Sequence, residues 1–140
     1  MDHFKQVNDV YGHLYGDEVL LQVANVMRHT FLKDDVMFRF GGDEFVVLLS
    51  LRTEPDVKAL CDLFRQRIAA LNQDKECRVT VSLGVVIVGG VEDPHSLVIK
   101  ADKALYYSKE HGRNQVSYYH DLLSRGDIHM PVIDDDIELF

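Results

Sequence analysis

Two adjacent acids inside a glycine-rich turn are the part of this sequence best suited to chemistry. Residues 41–45 read Gly41-Gly42-Asp43-Glu44-Phe45. Two glycines permit a tight turn with positive φ and let a ligand come close to the backbone. Asp43 and Glu44 would repel each other unless something cationic sat beside them. An ordinary solvated turn can carry the same four residues, so the tetrapeptide alone leaves both readings open.

The elements around that turn follow from hydrophobic periodicity. Val36–Phe40 and Phe45–Ser50 form the arms of a hairpin. The second arm is apolar on both faces, which predicts a strand inside a covered sheet. Residues 17–30 predict a helix, with Leu20, Val23, Ala24 and Met27 on one stripe. Residues 55–72 predict another, with Val57, Leu60, Cys61, Phe64, Ile68 and Leu71 at helical spacing and Pro55 in the first turn. Arg78–Val88 is β-branched and predicts a long strand, with Gly84 as a bulge or close-approach point. Asp93 and Pro94 cap and open a third helix, which Gly112 stops. Asn114–His120 predicts a last strand. The order indicates an α/β (α+β) fold, a mixed sheet covered by helices. Such a sheet calls for one more strand, ahead of residue 1 and leading into Asp2–Asp9. Residues 1–120 are expected to form one domain. Residues 121–140 are expected to be an irregular acidic tail with Asp134-Asp135-Asp136, in which Ile137, Leu139 and Phe140 can fold back on the body.

Bulk properties narrow the partners. The chain has 140 residues, 46% hydrophobic and 27% charged, which suits one globular domain. A net charge of −8 argues against a general nucleic-acid or anionic-membrane surface. It permits a nucleotide substrate, because divalent metals neutralise triphosphate and carboxylate together. No apolar run is long enough to cross a bilayer. Cys61 and Cys77 lack metal or redox spacing, as in a reduced, cytoplasmic protein.

Four blocks, in order, resemble one family. Asp2-His3-Phe4-Lys5-Gln6-Val7-Asn8-Asp9 with Tyr11-Gly12-His13 and Gly16-Asp17 is the first. Gly41–Phe45 is the second, Val79–Val85 the third, and Ala101–Tyr106 through Lys109, Gly112, Arg113 and Asn114 the fourth. Over residues 2–118 the chain resembles the GGDEF domain of diguanylate cyclases. The resemblance implies a palm-like, nucleotide-cyclase-like fold and conversion of two GTP into cyclic di-GMP and two pyrophosphates. It implies a homodimer with one GTP per subunit, two Mg²⁺ or Mn²⁺ per active site, and a sensory or receiver domain upstream.

The same resemblance assigns roles. Asp43 coordinates metal and helps activate the 3′-hydroxyl; Glu44 is the second acid; the Met1 carbonyl faces a metal. Asn8 and Asp17 read guanine, the carboxylate accepting from N1–H and N2–H₂ and the amide meeting O6 or N3. Asn8 could instead be a turn or cap residue, and Asp17 a first-turn acid that favours the helix dipole. His13 is either a structural hydrogen-bonder or a ligand contact. Lys5, Lys109 and Arg113 contact the triphosphate, and the amides of His3 and Phe4 add a cradle. Lys109 and Arg113 would also be favourable at a helix C-terminus for dipole reasons alone. Arg39 is read as structural, or as a contact for a regulatory ligand.

Two departures qualify the match. Relatives carry Asp-x-Asp at the end of the first strand; Asp2 is its second acid, and the first would fall before Met1. The 140-residue chain is therefore expected to be inactive or nearly so alone, and active when extended by about 15–30 native residues. Many relatives also carry a product-inhibition Arg-x-x-Asp; here Leu32 replaces the arginine and Asp35 remains, so product inhibition there is expected to be weak. Besides the enzyme, two readings stay open: a GTP-holding module without turnover, and an interaction domain that uses only the fold.

Overall fold

The structure is a computed structural model that describes residues 1–130. Its first surprise is a helix where a turn is expected. α1 spans Phe4–Tyr11 and α2 spans His13–Thr30, four residues earlier than the apolar stripe alone indicates. Gly12, at φ 90°, makes the one-residue break between them and donates to the Asn8 carbonyl at 2.8 Å. A side chain there would be strained. α1 buries Val7, and α2 buries Val19, Val23 and Met27, one residue per turn on one stripe. Leu20 and Ala24 flank that stripe half-buried.

β1, Val36–Arg39, pairs antiparallel with β2, Phe45–Leu48, with Val36 opposite Leu48 and Arg39 opposite Phe45. Both arms are shorter than expected. β2 is also not covered on both faces. Met37, Phe45, Val47 and Leu49 turn toward the main core. Val36, Phe38, Phe40 and Leu48 stay exposed on the other face. The strand is apolar throughout, but among the described residues only one side of it is packed.

α3, Glu54–Ala69, starts at Thr53, whose hydroxyl accepts from the Asp56 amide, and buries Val57, Cys61, Phe64 and Ile68. The expected strand over Arg78–Val88 contracts to β3, Leu83–Val85. Ahead of it, Val79 and Val81 are buried and Thr80 makes an isolated antiparallel bridge with Asp2. α4, Pro94–Glu110, is capped by Asp93 as expected and forms the crossover that a parallel pair requires. It returns the chain to β4, Val116–Tyr118, which lies parallel to β3. Gly84 is a close-approach point: a Cβ there would overlap the Ala101 carbonyl and the Leu105 amide of α4.

The tail is a correction. α5 spans Tyr119–Arg125 and ends on left-handed Gly126. Tyr119 and Leu122 bury themselves beside Ala104, so the folded unit extends past residue 120. Pro131, Asp134–Asp136, Ile137, Leu139 and Phe140 lie outside the described residues.

The helices and both kinds of strand pairing of a mixed α/β fold are present. Among the described residues they form two separate two-stranded sheets rather than one. Met1 and Asp2 run between them, with the Met1 nitrogen donating to the Asp43 carbonyl at 2.7 Å and the Asp2 amide donating to the Thr80 carbonyl at 2.8 Å. The expected additional strand would lie outside the described residues.

Candidate active site

The acidic turn is built by its own backbone and by one arginine. The amides of Phe40 and Gly41 donate to the Glu44 carbonyl at 2.9 and 3.3 Å. The Arg39 guanidinium donates to the carbonyls of Gly41 and Gly42, the shortest contact being 2.6 Å. Arg39 is thus a clamp on the glycines. Asp43 is half-buried and Glu44 exposed. Burial lowers the pKa of the Met1 ammonium; the carboxylates of Asp43, Asp2 and Glu44 oppose that shift, and Lys109 adds to it. Asp43, Glu44 and Lys109 therefore all lie within electrostatic reach of the Met1 nitrogen, across more than a hundred residues of sequence.

That arrangement suits a cation. Among the described residues no three His, Cys, Asp or Glu side chains form a ready cage. Mg²⁺ needs none: it is usually held by one or two carboxylates together with substrate phosphates and water. The oxygen donors of Asp43, Glu44 and the Met1 carbonyl fit that requirement.

Asp2 is not available as a further metal ligand. It is buried, and its carboxylate accepts from Thr80 Oγ1 at 2.7 Å, Ser82 Oγ at 2.8 Å and the Asn114 amide at 3.1 Å. A carboxylate has about four acceptor positions, so three protein donors nearly saturate it. Sequence reading places Asp2 in a motif but misses this clasp. The available signal is the Thr80-x-Ser82 alternation, which puts two hydroxyls on one face of an extended segment.

The opening loop supplies the expected amides. His3 adopts the left-handed conformation at φ 64° just before α1, and no side chain caps that helix. The first amides of a helix lack intrahelical acceptors and favour an anion. Lys5 is exposed in the same turn, while Phe4 packs on the main core, so only its backbone is offered. Arg113 is exposed beyond α4, at φ 60°. It therefore lies beyond the helix end, not inside its last turn; Lys109 is the basic residue of that turn.

The two residues expected to read the base sit where α1 meets α2. Asn8 Oδ1 is buried and has no hydrogen-bond partner among the described residues. A Cβ at Gly16 would overlap that oxygen, so the amide lies directly over Gly16. Asp17 is the next residue and is exposed. Because α2 starts at His13, Asp17 falls in the second turn, which removes the first-turn dipole explanation. His13 is exposed at the start of α2. From Phe4 to Asn8 the helix rises about 6 Å, so the amide cradle and Asn8 stand one helical turn apart.

Asp35 is a second correction. It is fully buried as a side chain and accepts from Arg52 at 2.6 and 2.7 Å, from the Ser50 amide at 2.9 Å and from the Leu32 amide at 2.8 Å. The Arg52 guanidinium beside it holds its carboxyl well below the usual carboxylate range. This acid is a structural anchor and does not present a free carboxylate to a ligand. Two surface cavities, about 510 and 530 Å³, flank Tyr118, and none of the predicted site residues lines them. Phosphate chemistry on an open turn relies on amides, cations and metal rather than on enclosure.

Comparison with known proteins identifies the family. Residues 1–115 match the family model for the diguanylate cyclase GGDEF domain. The chain is 38% identical over 122 residues to the bifunctional diguanylate cyclase/cyclic di-GMP phosphodiesterase MucR of Pseudomonas aeruginosa, covering 85% of this chain and 18% of that protein. It is 37% identical to diguanylate cyclase A of Treponema denticola, covering 84% of this chain and 33% of that one. The chain thus spans a third or less of either relative's length. Among solved structures, the GGDEF domain of DgcB from Caulobacter crescentus in complex with c-di-GMP superposes with a TM-score of 0.77 at 31% identity, covering 85% of this chain and 73% of that one. The active GGEEF domain of a Vibrio cholerae diguanylate cyclase gives 0.75 at 31% identity, with 84% and 77% covered. The chain belongs to the GGDEF-domain family of diguanylate cyclases.

Proposed function

We propose that this chain supplies the catalytic domain of an enzyme that joins two GTP into cyclic di-GMP. The carrying observation is the half-buried Asp43, next to Glu44, in a turn clamped by Arg39 and joined to the opening loop through the Met1 nitrogen. In the reaction each ribose 3′-oxygen bonds to the α-phosphorus of the other GTP. The bond from that phosphorus to the bridging oxygen breaks, and each GTP releases one pyrophosphate. Mg²⁺ or Mn²⁺, two per site and held by Asp43, Glu44 and the Met1 carbonyl, supplies acidification of the hydroxyl and charge neutralisation of the leaving group. Asp43 would take part in activating the 3′-hydroxyl. Lys5, Lys109, Arg113 and the amides of His3 and Phe4 hold the triphosphate, while Asn8 and Asp17 read the base. His13 lies beside the base readers.

Two GTP require two such sites facing each other, so the functional unit is a homodimer. Control by an upstream sensory or receiver domain fits relatives that are several times longer than this chain. GTP and the product are cytoplasmic nucleotides, which puts the domain in the cytoplasm. No described helix is long and apolar enough to cross a membrane.

The test is incubation with GTP and Mg²⁺ followed by chromatography, on a protein carrying the whole domain. Cyclic di-GMP and pyrophosphate are expected. Asp43→Asn or Glu44→Gln should lower the rate at least ~10²-fold with the fold retained, the scale of losing an electrostatic stabiliser. Full activity in either variant would refute the assignment; GTP retained without product would favour a binding module.

A further inference from the structure

We propose that Asp2 is a positioning residue for the triphosphate half of the site, acting through the Gly112–Asn114 loop; this rests on the GTP reading above. Its carboxylate gathers three segments: the opening loop it belongs to, Thr80 and Ser82 ahead of β3, and the Asn114 amide beyond α4. Those donors lie 78, 80 and 112 residues away in sequence. The burial is nearly complete, and none of these partners is charged. A buried carboxylate held by two hydroxyls and an amide is an expensive way to join segments that apolar packing could join. Its placement argues for geometry that packing alone does not set.

That geometry is the path of the loop. Gly112, Arg113 and Asn114 have successive positive φ values of 113°, 60° and 46°. Glycine accepts this conformation; arginine does so rarely. Asp2 holds the end of the run through the Asn114 amide, and the Arg113 amide holds its middle by donating to the Ser108 carbonyl at 2.9 Å. Together they fix where the Arg113 Cα points its side chain. The adjacent residue, His3, is itself left-handed, and its amide is part of the cradle. The Asp2 amide bond to Thr80 and the Met1 bond to Asp43 complete the frame. One carboxylate thus sets the separation between the α1 amides on one side and Arg113 with Lys109 on the other. Loss of that carboxylate releases the loop and weakens grip on phosphates, while the base pocket at Asn8 and Gly16 is left alone.

The test compares two ligands by calorimetry, on a protein carrying the whole domain: a non-reacting α,β-methylene analogue of GTP, and GMP, which lacks the outer phosphates. Variants are Asp2→Asn and the milder Thr80→Val and Ser82→Ala, each checked by thermal melting. The expected result is a drop of about tenfold in affinity for the triphosphate analogue in Asp2→Asn, with GMP affinity within about twofold of the parent. Smaller losses of the same selective kind are expected for the other two. Equal affinity of parent and folded Asp2→Asn for the analogue would overturn the proposal, as would a parallel loss for both ligands, which marks a purely structural acid. If Asp2→Asn does not fold, Thr80→Val and Ser82→Ala decide by the same criterion. A parent that binds neither guanine nucleotide overturns the GTP reading, and this proposal with it.

Discussion

At the scale of single residues, two positions settle what their neighbours can do. Gly16 is one: a methyl group there would strike the buried Asn8 Oδ1. Gly16→Ala should therefore push the amide out of place and raise the KM for GTP about tenfold or more, with a smaller effect on kcat. Steady-state kinetics with GTP checks this, and an unchanged KM would separate Asn8 from base reading. Arg52 is the other. It pairs with fully buried Asp35, and breaking such a pair by removing one partner costs about 3–5 kcal/mol. The pH dependence has a definite sign. Asp35 has its folded pKa below its unfolded value of about 3.9, so its contribution is complete above about pH 4 and is lost as pH falls below that. Arg52→Ala should unfold at lower denaturant near neutral pH, and the gap from the parent should shrink at about pH 3. Urea titrations at both pH values measure it.

Among elements, the contact of β3 with α4 is the tightest constraint. α4 lies so close over Gly84 that any Cβ meets helix backbone, which cannot rotate away as a side chain can. Ser108 reinforces the contact by donating to the Leu83 carbonyl at 2.9 Å while accepting from Ser117 Oγ at 2.6 Å. Gly84→Ala should destabilise the domain by about 1–3 kcal/mol through overpacking. Because α4 also carries Lys109 and leads into Arg113, the same variant should weaken GTP binding more than the stability loss alone explains. Denaturant melts and GTP titration on the same preparation test both parts. α1 and α2 illustrate the opposite case, in which the sequence is permissive. Residues 13–16 bring only Leu14 and Tyr15 as large apolar groups, and Leu14 is exposed, so an apolar stripe cannot mark the start of α2. Its start is set by Gly12 leaving α1 in a conformation that no helix contains.

For the molecule as a whole, the unpacked face of the β1–β2 hairpin is the main liability. Val36, Phe38, Phe40 and Leu48 lie exposed on one face of the hairpin. Contiguous apolar surface of this kind drives association. The described chain should therefore bind a hydrophobic dye and self-associate at high concentration. Phe40→Glu with Leu48→Lys should reduce both, with helix content unchanged. Light scattering and circular dichroism check this; no change in scattering would mean that the face is covered in solution.

The sequence by itself determined the elements whose signals are local. Pro55, Asp93 with Pro94, the Gly41-Gly42 turn and the stripes of α2 and α3 all act within a few residues, so periodicity and capping rules reach them. The acids of the turn were legible for the same reason, since their proximity is covalent. Only the tertiary structure decided the rest. It showed that β2 is covered on one face, that β3 is a short strand, and that residues 119–125 form a helix because Tyr119 and Leu122 find Ala104. It also gave Asp2 to Thr80, Ser82 and Asn114, and Asp35 to Arg52. A carboxylate in a string of letters has no preferred donor. Its partner is whichever group the fold carries into hydrogen-bonding range, and a buried charge must be met by partners that only the folded chain can bring to it.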